Sequence, residues 1–168
     1  MNSIFGRRSI RSFLNQKIPD QTLEQILKAG MYAPSAGNEQ AWEFIVIRDK
    51  TIHRKICDVH PNAKALLTCD TAIVVCGNLK EQKYPVDYWV LDCSLAGGNI
   101  MLEAYELGVG SVWLSVYPNK YRSENIKKIL ALPPEISPLC VIAMGYAAEA
   151  SPAPENRFRE SKIHRETW

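Results

Sequence analysis

A segment with almost no polar face constrains this chain more than any other feature. Between residues 87 and 107, Val90, Leu91, Leu95, Ile100, Met101, Leu102 and Ala104 leave too little polarity for a helix lying on a surface. Such a segment folds as the central helix of a core, or as one shared with a second subunit. Gly97 and Gly98 sit inside it, and each costs a helix about 1 kcal/mol relative to alanine. Two explanations stay open: close packing of another element on the helix, or room for a flat ligand or a partner helix. Tyr88 and Trp89 open the segment, and an apolar helix more often sends such aromatics into the core than over a ligand.

Helix and strand patterns alternate around this segment. Asp20 is an N-cap residue type, and Leu23, Ile26, Leu27 and Met31 follow at helical spacing until Gly30 and Pro34 stop the pattern. Residues 42–47 read as a strand, and Asp49 precedes a short helix that turns Ile52, Ile56 and Val59 inward. The β-branched run at 71–76 is a buried strand, residues 111–117 are another, and 139–143 form the last. Ser123 is the expected cap of a helix running through Leu130 and Leu132, and Gly108 fits the residue just past a helix end. The tail beyond Tyr146, with Pro152, Pro154 and a charged stretch to Trp168, needs a surface to lie on. With 168 residues and no linker or repeat, the expectation is one domain over 1–168 built from helices and strands.

Composition removes several function classes. A net charge of +2 gives no diffuse basic field for nucleic acid or a membrane surface, and no apolar run reaches membrane-spanning length. Cys57, Cys69, Cys76, Cys93 and Cys140 are odd in number and contain no C-x-x-C pair. They read as reduced, mostly buried thiols of a cytoplasmic protein. His53, His60 and His164 lack metal-ligand spacing and are expected at the surface. Gly108-Val109-Gly110 begins like a dinucleotide fingerprint, but the third glycine is missing and the order of helix and strand is reversed. There is no phosphate-binding G-x-x-x-x-G-K and no G-x-S-x-G elbow. Side chains alone therefore offer little chemistry, which leaves a cofactor to supply it.

Two segments point to such a cofactor. Arg7, Arg8, Ser9, Ile10 and Arg11 place three guanidiniums and a hydroxyl in five residues, a forked donor set suited to phosphate. Residues 33–42, Ala-Pro-Ser-Ala-Gly-Asn-Glu-Gln-Ala-Trp, offer hydroxyl, carboxamide and backbone groups to a flat polar ligand. Together they fit a phosphorylated, ring-bearing molecule. Taken singly, the first could be an ordinary solvated cluster and the second the turn that follows a helix.

The order of R-R-S-x-R, A-P-S-x-x-N-x-Q-x-W, the long helix, G-x-G-S-V-W at 108–113 and the closing Gly145-Tyr146 with Arg157 resembles the nitroreductase family of FMN-dependent NAD(P)H oxidoreductases. That resemblance implies an α+β fold of mixed sheet flanked by helices, and an intertwined homodimer with FMN in each of two interface clefts. It also implies roles. Arg7, Arg8, Ser9 and Arg157 hold the phosphate, and Arg11 faces the N1 and C2 carbonyl edge of the flavin. Pro34, Ser35, Asn38 and Gln40 approach the partner subunit's flavin, while Val112, Trp113, Leu114 and Ser115 form the strand whose backbone amide meets N5. A fixed cation at the N1 edge stabilises charge arriving with a hydride, so no catalytic side chain or metal is required. Ala41 replaces the family's usual proline, Glu155 stands where a lysine is common, and residues 80–87 are the only stretch available as a lid.

The expected reaction is ping-pong hydride transfer from NAD(P)H to a small nitroaromatic, quinone or other conjugated acceptor. The same resemblance admits a specialised reductive dehalogenase, a flavin-consuming oxidase, or a non-catalytic flavin-binding redox sensor. A flavin-free anion-binding protein is a further alternative.

Overall fold

Period-two alternation in two central strands sets the architecture of the computed structural model, which describes residues 3–151 and 153–168. Strand β2 (Thr71–Asn78) sends Ile73 and Val75 to one face of a sheet and Ala72, Val74 and Cys76 to the other. Strand β4 (Ile136–Gly145) does the same with Cys140, Ile142 and Met144 against Val141 and Ala143. Both faces are apolar, so both must be covered. Helices α2 (Asp20–Met31) and α4 (Tyr88–Glu106) cover one, and α3 (Lys50–Val59) and α5 (Lys120–Ile129) the other. Ile26 and Ile100 are fully buried in the first layer, Ile56 and Ile126 in the second. Each such side chain contributes about 1.5–3 kcal/mol relative to exposure.

Strand β1 (Trp42–Ile47) and strand β3 (Gly110–Ser115) complete the sheet in the order β1-β2-β4-β3, all antiparallel. Among the described residues, parallel pairing is confined to the bridge between Ser9 and Ser111. There the N-terminal segment, after the short helix α1 (Ser3–Gly6), runs along the free edge of β3, and the Ile10 N–H donates to Ser111 O at 3.0 Å. Phe13 then bridges Ala147 beyond β4. The α+β expectation holds, but the four strands pair antiparallel where a mixed sheet was expected.

Several local expectations need correction. Pro19, not Asp20, occupies the N-cap of α2, and the Asp20 carboxylate instead takes Arg48 Nη1 at 2.5 Å. Helix α5 begins at Lys120 because the Asn119 side chain accepts the Arg122 N–H at 3.0 Å, which leaves Ser123 inside the first turn. His53 and His60 are buried, not at the surface; only His164 is exposed. Each buried imidazole has a carbonyl partner: His53 Nε2 donates to Ile47 O at 3.1 Å, and His60 Nε2 to Ser115 O at 2.9 Å. Burial lowers the pKa of both.

The long helix is the core helix its composition predicts. Its inner face, with Trp89, Cys93, Ala96, Ile100 and Ala104, is core, while Leu91 and Leu95 stand 59% and 48% exposed. The glycine pair divides in the same way. A Cβ on Gly97 would meet the Trp113 ring at 2.4 Å, whereas one on Gly98 meets nothing within 4 Å. Leu107 caps the helix and Gly108, at φ +73°, follows it as expected. Among the described residues, no helix is long and apolar enough to cross a membrane.

Candidate functional site

The Ser9–Ser111 bridge lays the arginine motif against one edge of the sheet and so fixes where its side chains can go. Arg7, Arg8 and Arg157 line one cavity of about 450 Å³, together with Ile4, Phe5 and Phe158. Arg7 is half-buried, and its Nη1 is enclosed without a hydrogen-bond partner. Burial, then the charge of Arg157, then that of Arg8 push the Arg7 guanidinium below its ordinary pKa. Arg8 donates through Nη1 to the Arg7 backbone carbonyl at 2.6 Å, which folds its side chain back on the chain at this cavity. Glu155 lines the same cavity, yet among the described residues none of the three arginines forms an ion pair with it. Three like charges and an enclosed, unpartnered donor form a donor set suited to an anion. A phosphate fits that donor set.

Arg11, two residues past Ser9, faces a different cleft of about 760 Å³. Its walls are Val112, Trp113, Leu114 and Ser115 of β3, with His60, Asn62, Lys64 and Arg122 from the opposite layer. The Val112 and Leu114 side chains are buried in the core, so only their backbone is available to a ligand. Trp113 lies on Gly97 and donates its indole N–H to Ser115 Oγ at 3.0 Å. The Ser115 carbonyl accepts twice, from His60 Nε2 at 2.9 Å and Arg122 Nη1 at 3.0 Å. His60, Asn62, Lys64 and Arg122 were not candidates from the sequence. The available signal was the Pro61-Asn62 turn directly after an amphipathic helix, which has no distinctive spacing.

The loop containing Pro34, Ser35, Asn38 and Gln40 lines neither cavity. It precedes β1, at the other edge of the sheet, three strand spacings or about 14 Å from β3. A short 3-10 turn (Ala36–Asn38) shapes it, with Gly37 and Asn38 at φ +52° and +54°. Ser35 Oγ accepts the Gln40 N–H at 3.0 Å, and Asn38 Oδ1 accepts from Gln40 Nε2 at 2.9 Å. Beneath the loop, the carboxyls of Glu39 and Asp92 are buried beside each other, and one oxygen of each is enclosed without a hydrogen-bond partner. Asp92 Oδ1 accepts the Ala36 N–H at 3.0 Å and Glu39 Oε2 the Lys83 N–H at 2.8 Å. Burial foremost, and Glu39 beside it, raise the Asp92 pKa. Lys83 Nζ reaches Gly37 O at 2.9 Å and Tyr84 packs on Gly37, so residues 80–87 lie over this loop.

Within one chain, then, the first motif and β3 come together while the second motif faces away from them. The profile of the Nitroreductase family matches residues 4–60 and 58–146. A protein of Archaeoglobus fulgidus, provisionally named NADH dehydrogenase/NAD(P)H nitroreductase, is 44% identical over 100% of this chain and 98% of its own length. Among solved structures, a provisionally named NADH oxidase from Clostridium acetobutylicum superposes with a TM-score of 0.94 at 37% identity, covering 99% of each chain. An FMN-dependent nitroreductase from Clostridium difficile superposes with a TM-score of 0.91 at 30% identity, again over 99% of each. With motifs, fold and relatives in agreement along nearly its whole length, the chain belongs to the nitroreductase family.

Proposed function

We propose that this protein is an FMN-dependent oxidoreductase that takes a hydride from NAD(P)H and delivers it to a small nitroaromatic, quinone or other conjugated acceptor. The observation that carries the reading is the convergence of Arg7, Arg8 and Arg157 on one cavity with an enclosed, unsatisfied guanidinium N–H. That donor set suits the dianionic phosphate of FMN, and the relatives' names point to the same cofactor. Ser9, at the start of the bridge to β3, adds a hydroxyl at the same end.

FMN bound there would supply the hydride-transfer chemistry. The chain's own residues bind and orient. Arg11, held near the backbone by Ser9 O at 3.4 Å, supplies a cation in the cleft beside β3, where charge arriving with the hydride needs stabilisation. The backbone of residues 112–115 forms a rigid wall, since the Val112 and Leu114 side chains are anchored in the core. No general acid, nucleophile or metal is invoked, in line with a site built from arginines, amides and backbone.

The second motif enters through a partner. Pro34, Ser35, Asn38 and Gln40 sit at the far edge of their own sheet, so in this reading they complete the cleft of a second copy. The exposed Leu91 and Leu95 of α4, the open surface at Gly98 and the wholly exposed tail from 153 to 168 are the surfaces such a copy would cover. The chain acts as a homodimer in this reading, free of nucleic acid and membrane, with the whole of 1–168 as one unit in the cytoplasm.

The purified protein is expected to be yellow and to bleach anaerobically on one equivalent of NADH or NADPH, then to recover on adding a nitroaromatic acceptor. A colourless protein that cannot be reconstituted with FMN overturns the reading. A yellow protein that stays yellow replaces it with the redox-sensor alternative. Sedimentation of flavin-loaded protein as a monomer would overturn the two-subunit site alone.

A further inference from the structure

The cleft beside β3 holds more positive charge than a flavin ring calls for. Arg11, Lys64 and Arg122 all line it, and no aspartate or glutamate does. None of the three forms an ion pair among the described residues. Resting on the function proposed above, Arg11 alone serves the electron-rich edge of the flavin, and the phosphate belongs to Arg7, Arg8 and Arg157 in a separate cavity. Lys64 and Arg122 are left without a counter-charge.

Their placement differs. Lys64 begins a 3-10 turn and is exposed at the mouth of the cleft. Arg122 is half-buried in the first turn of α5 and anchored by one donor, Nη1, on Ser115 O at 3.0 Å. His60 Nε2 donates to the same oxygen at 2.9 Å, so that carbonyl has no lone pair to spare and Arg122 cannot turn more of its fork toward it. One edge of the guanidinium is fixed to the wall and the remaining N–H groups stay at the cleft surface. A fork oriented in this way matches the two oxygens of a carboxylate better than a neutral amide or a single carbonyl.

We infer that the acceptor is anionic: a small conjugated molecule bearing a carboxylate, which Arg122 grips and Lys64 attracts. The reducible group then lies toward Arg11 and the flavin, and the carboxylate toward α5. Arg122 is a specificity residue in this arrangement. It selects the charge of the acceptor without taking part in hydride transfer.

Two matched pairs of probes test this in the FMN-loaded protein. In calorimetric titration, which needs no turnover, benzoate is expected to bind at least about tenfold more tightly than benzamide. That preference should collapse in Arg122→Gln and survive in Arg122→Lys. In steady-state turnover, the kcat/KM ratio of 4-nitrobenzoate to 4-nitrobenzamide should fall by a similar factor in Arg122→Gln, mainly through KM. A change that merely loosened the Ser115 backbone would slow both acceptors alike and leave the ratio intact. Equal binding of benzoate and benzamide to the wild type, or a ratio unmoved by Arg122→Gln, overturns the inference. So does a rise in the NAD(P)H KM with benzoate binding unchanged, which would assign Arg122 to the donor. Loss of the flavin itself would instead count against the function proposed above, because that failure shows as colourless protein before any probe is added.

Discussion

Asp92 of α4 and Glu39 of the 33–42 loop meet in the interior carboxyl to carboxyl. Asp92 Oδ2 and Glu39 Oε1 are enclosed with no N–H donor, while their other oxygens take the Ala36 and Lys83 backbone N–H groups. Burial first, and the neighbouring Glu39 carboxyl after it, favour the protonated form of Asp92, so Asp92 keeps its proton to higher pH than an exposed carboxyl does. The pair ties three segments that are distant in sequence: the second motif, the long helix and residues 80–87.

A pH dependence follows from that proton. Asp92 has its pKa raised in the fold by burial and then by Glu39, so the contribution is full below the ordinary carboxylate range and fades as pH rises through the folded value. Asp92→Asn keeps an acceptor for the Ala36 N–H and brings its own donor to Glu39. The variant is expected to be more stable than the wild type at pH 8 by about 1 kcal/mol, with the advantage gone below pH 4. Urea denaturation across that range checks it. A constant difference at all pH values would show that Asp92 keeps no such proton.

His53 gives the opposite slope. Its pKa is lowered, chiefly by burial, and Nε2 donates to Ile47 O while Nδ1 faces the Cys69 thiol at 3.7 Å. A depressed histidine contributes in full above its unfolded pKa of about 6.5 and loses that contribution as pH falls from there through its lower folded value. His60 has the same direction of shift. Stability should therefore drop as pH falls below about 6.5. His53→Gln should cost about 1–3 kcal/mol at pH 7.5 and flatten part of that drop. An unchanged pH profile in the variant would place the acid sensitivity elsewhere.

The adjacent glycines of α4 should respond differently to one methyl group. Gly97→Ala drives a Cβ into the ring of Trp113, which its bond to Ser115 Oγ keeps in place, and should cost about 1–3 kcal/mol. Gly98→Ala enters open space and should gain up to about 1 kcal/mol in helix propensity. Denaturant midpoints of the two variants measured side by side decide it. Equal destabilisation would mean that the Gly98 face is also tightly covered.

Arg7 and Arg11 lie four residues apart but face different cavities, and their alanine variants should separate binding from reaction. Removing the half-buried Arg7 should weaken FMN binding about 10- to 100-fold by fluorescence titration. Removing Arg11 should slow reduction by NADH more than it loosens FMN, read by anaerobic stopped flow. Equal FMN retention with equal reduction rates would remove both assignments.

Much of this was legible in the chain. The strands at 42–47 and 71–76 and the helix after residue 87 are apolar runs, because burial in the core demands apolar side chains along them. Gly108 was readable because only a left-handed residue suits its place. The capping assignments at Asp20 and Ser123 failed for a common reason. A capping side chain must compete with other partners, and Arg48 took Asp20 while Asn119 pre-empted Ser123. The buried histidines were missed because imidazole is equally at home in water or on a carbonyl.

By itself, the sequence determined the inventory: three arginines and a serine near the start, a loop of amides, a helix without a polar face, and the family these identify. Those are local patterns, set by residue type and spacing. The tertiary structure alone decided which groups meet. It joined Arg157 to Arg7 across nearly the whole chain, buried Glu39 against Asp92, and turned Arg122 into the cleft of Arg11 while leaving the 33–42 loop at the opposite edge of the sheet. Such meetings depend on strand order and helix packing, which arise from the closure of the whole core and leave no mark at any one position.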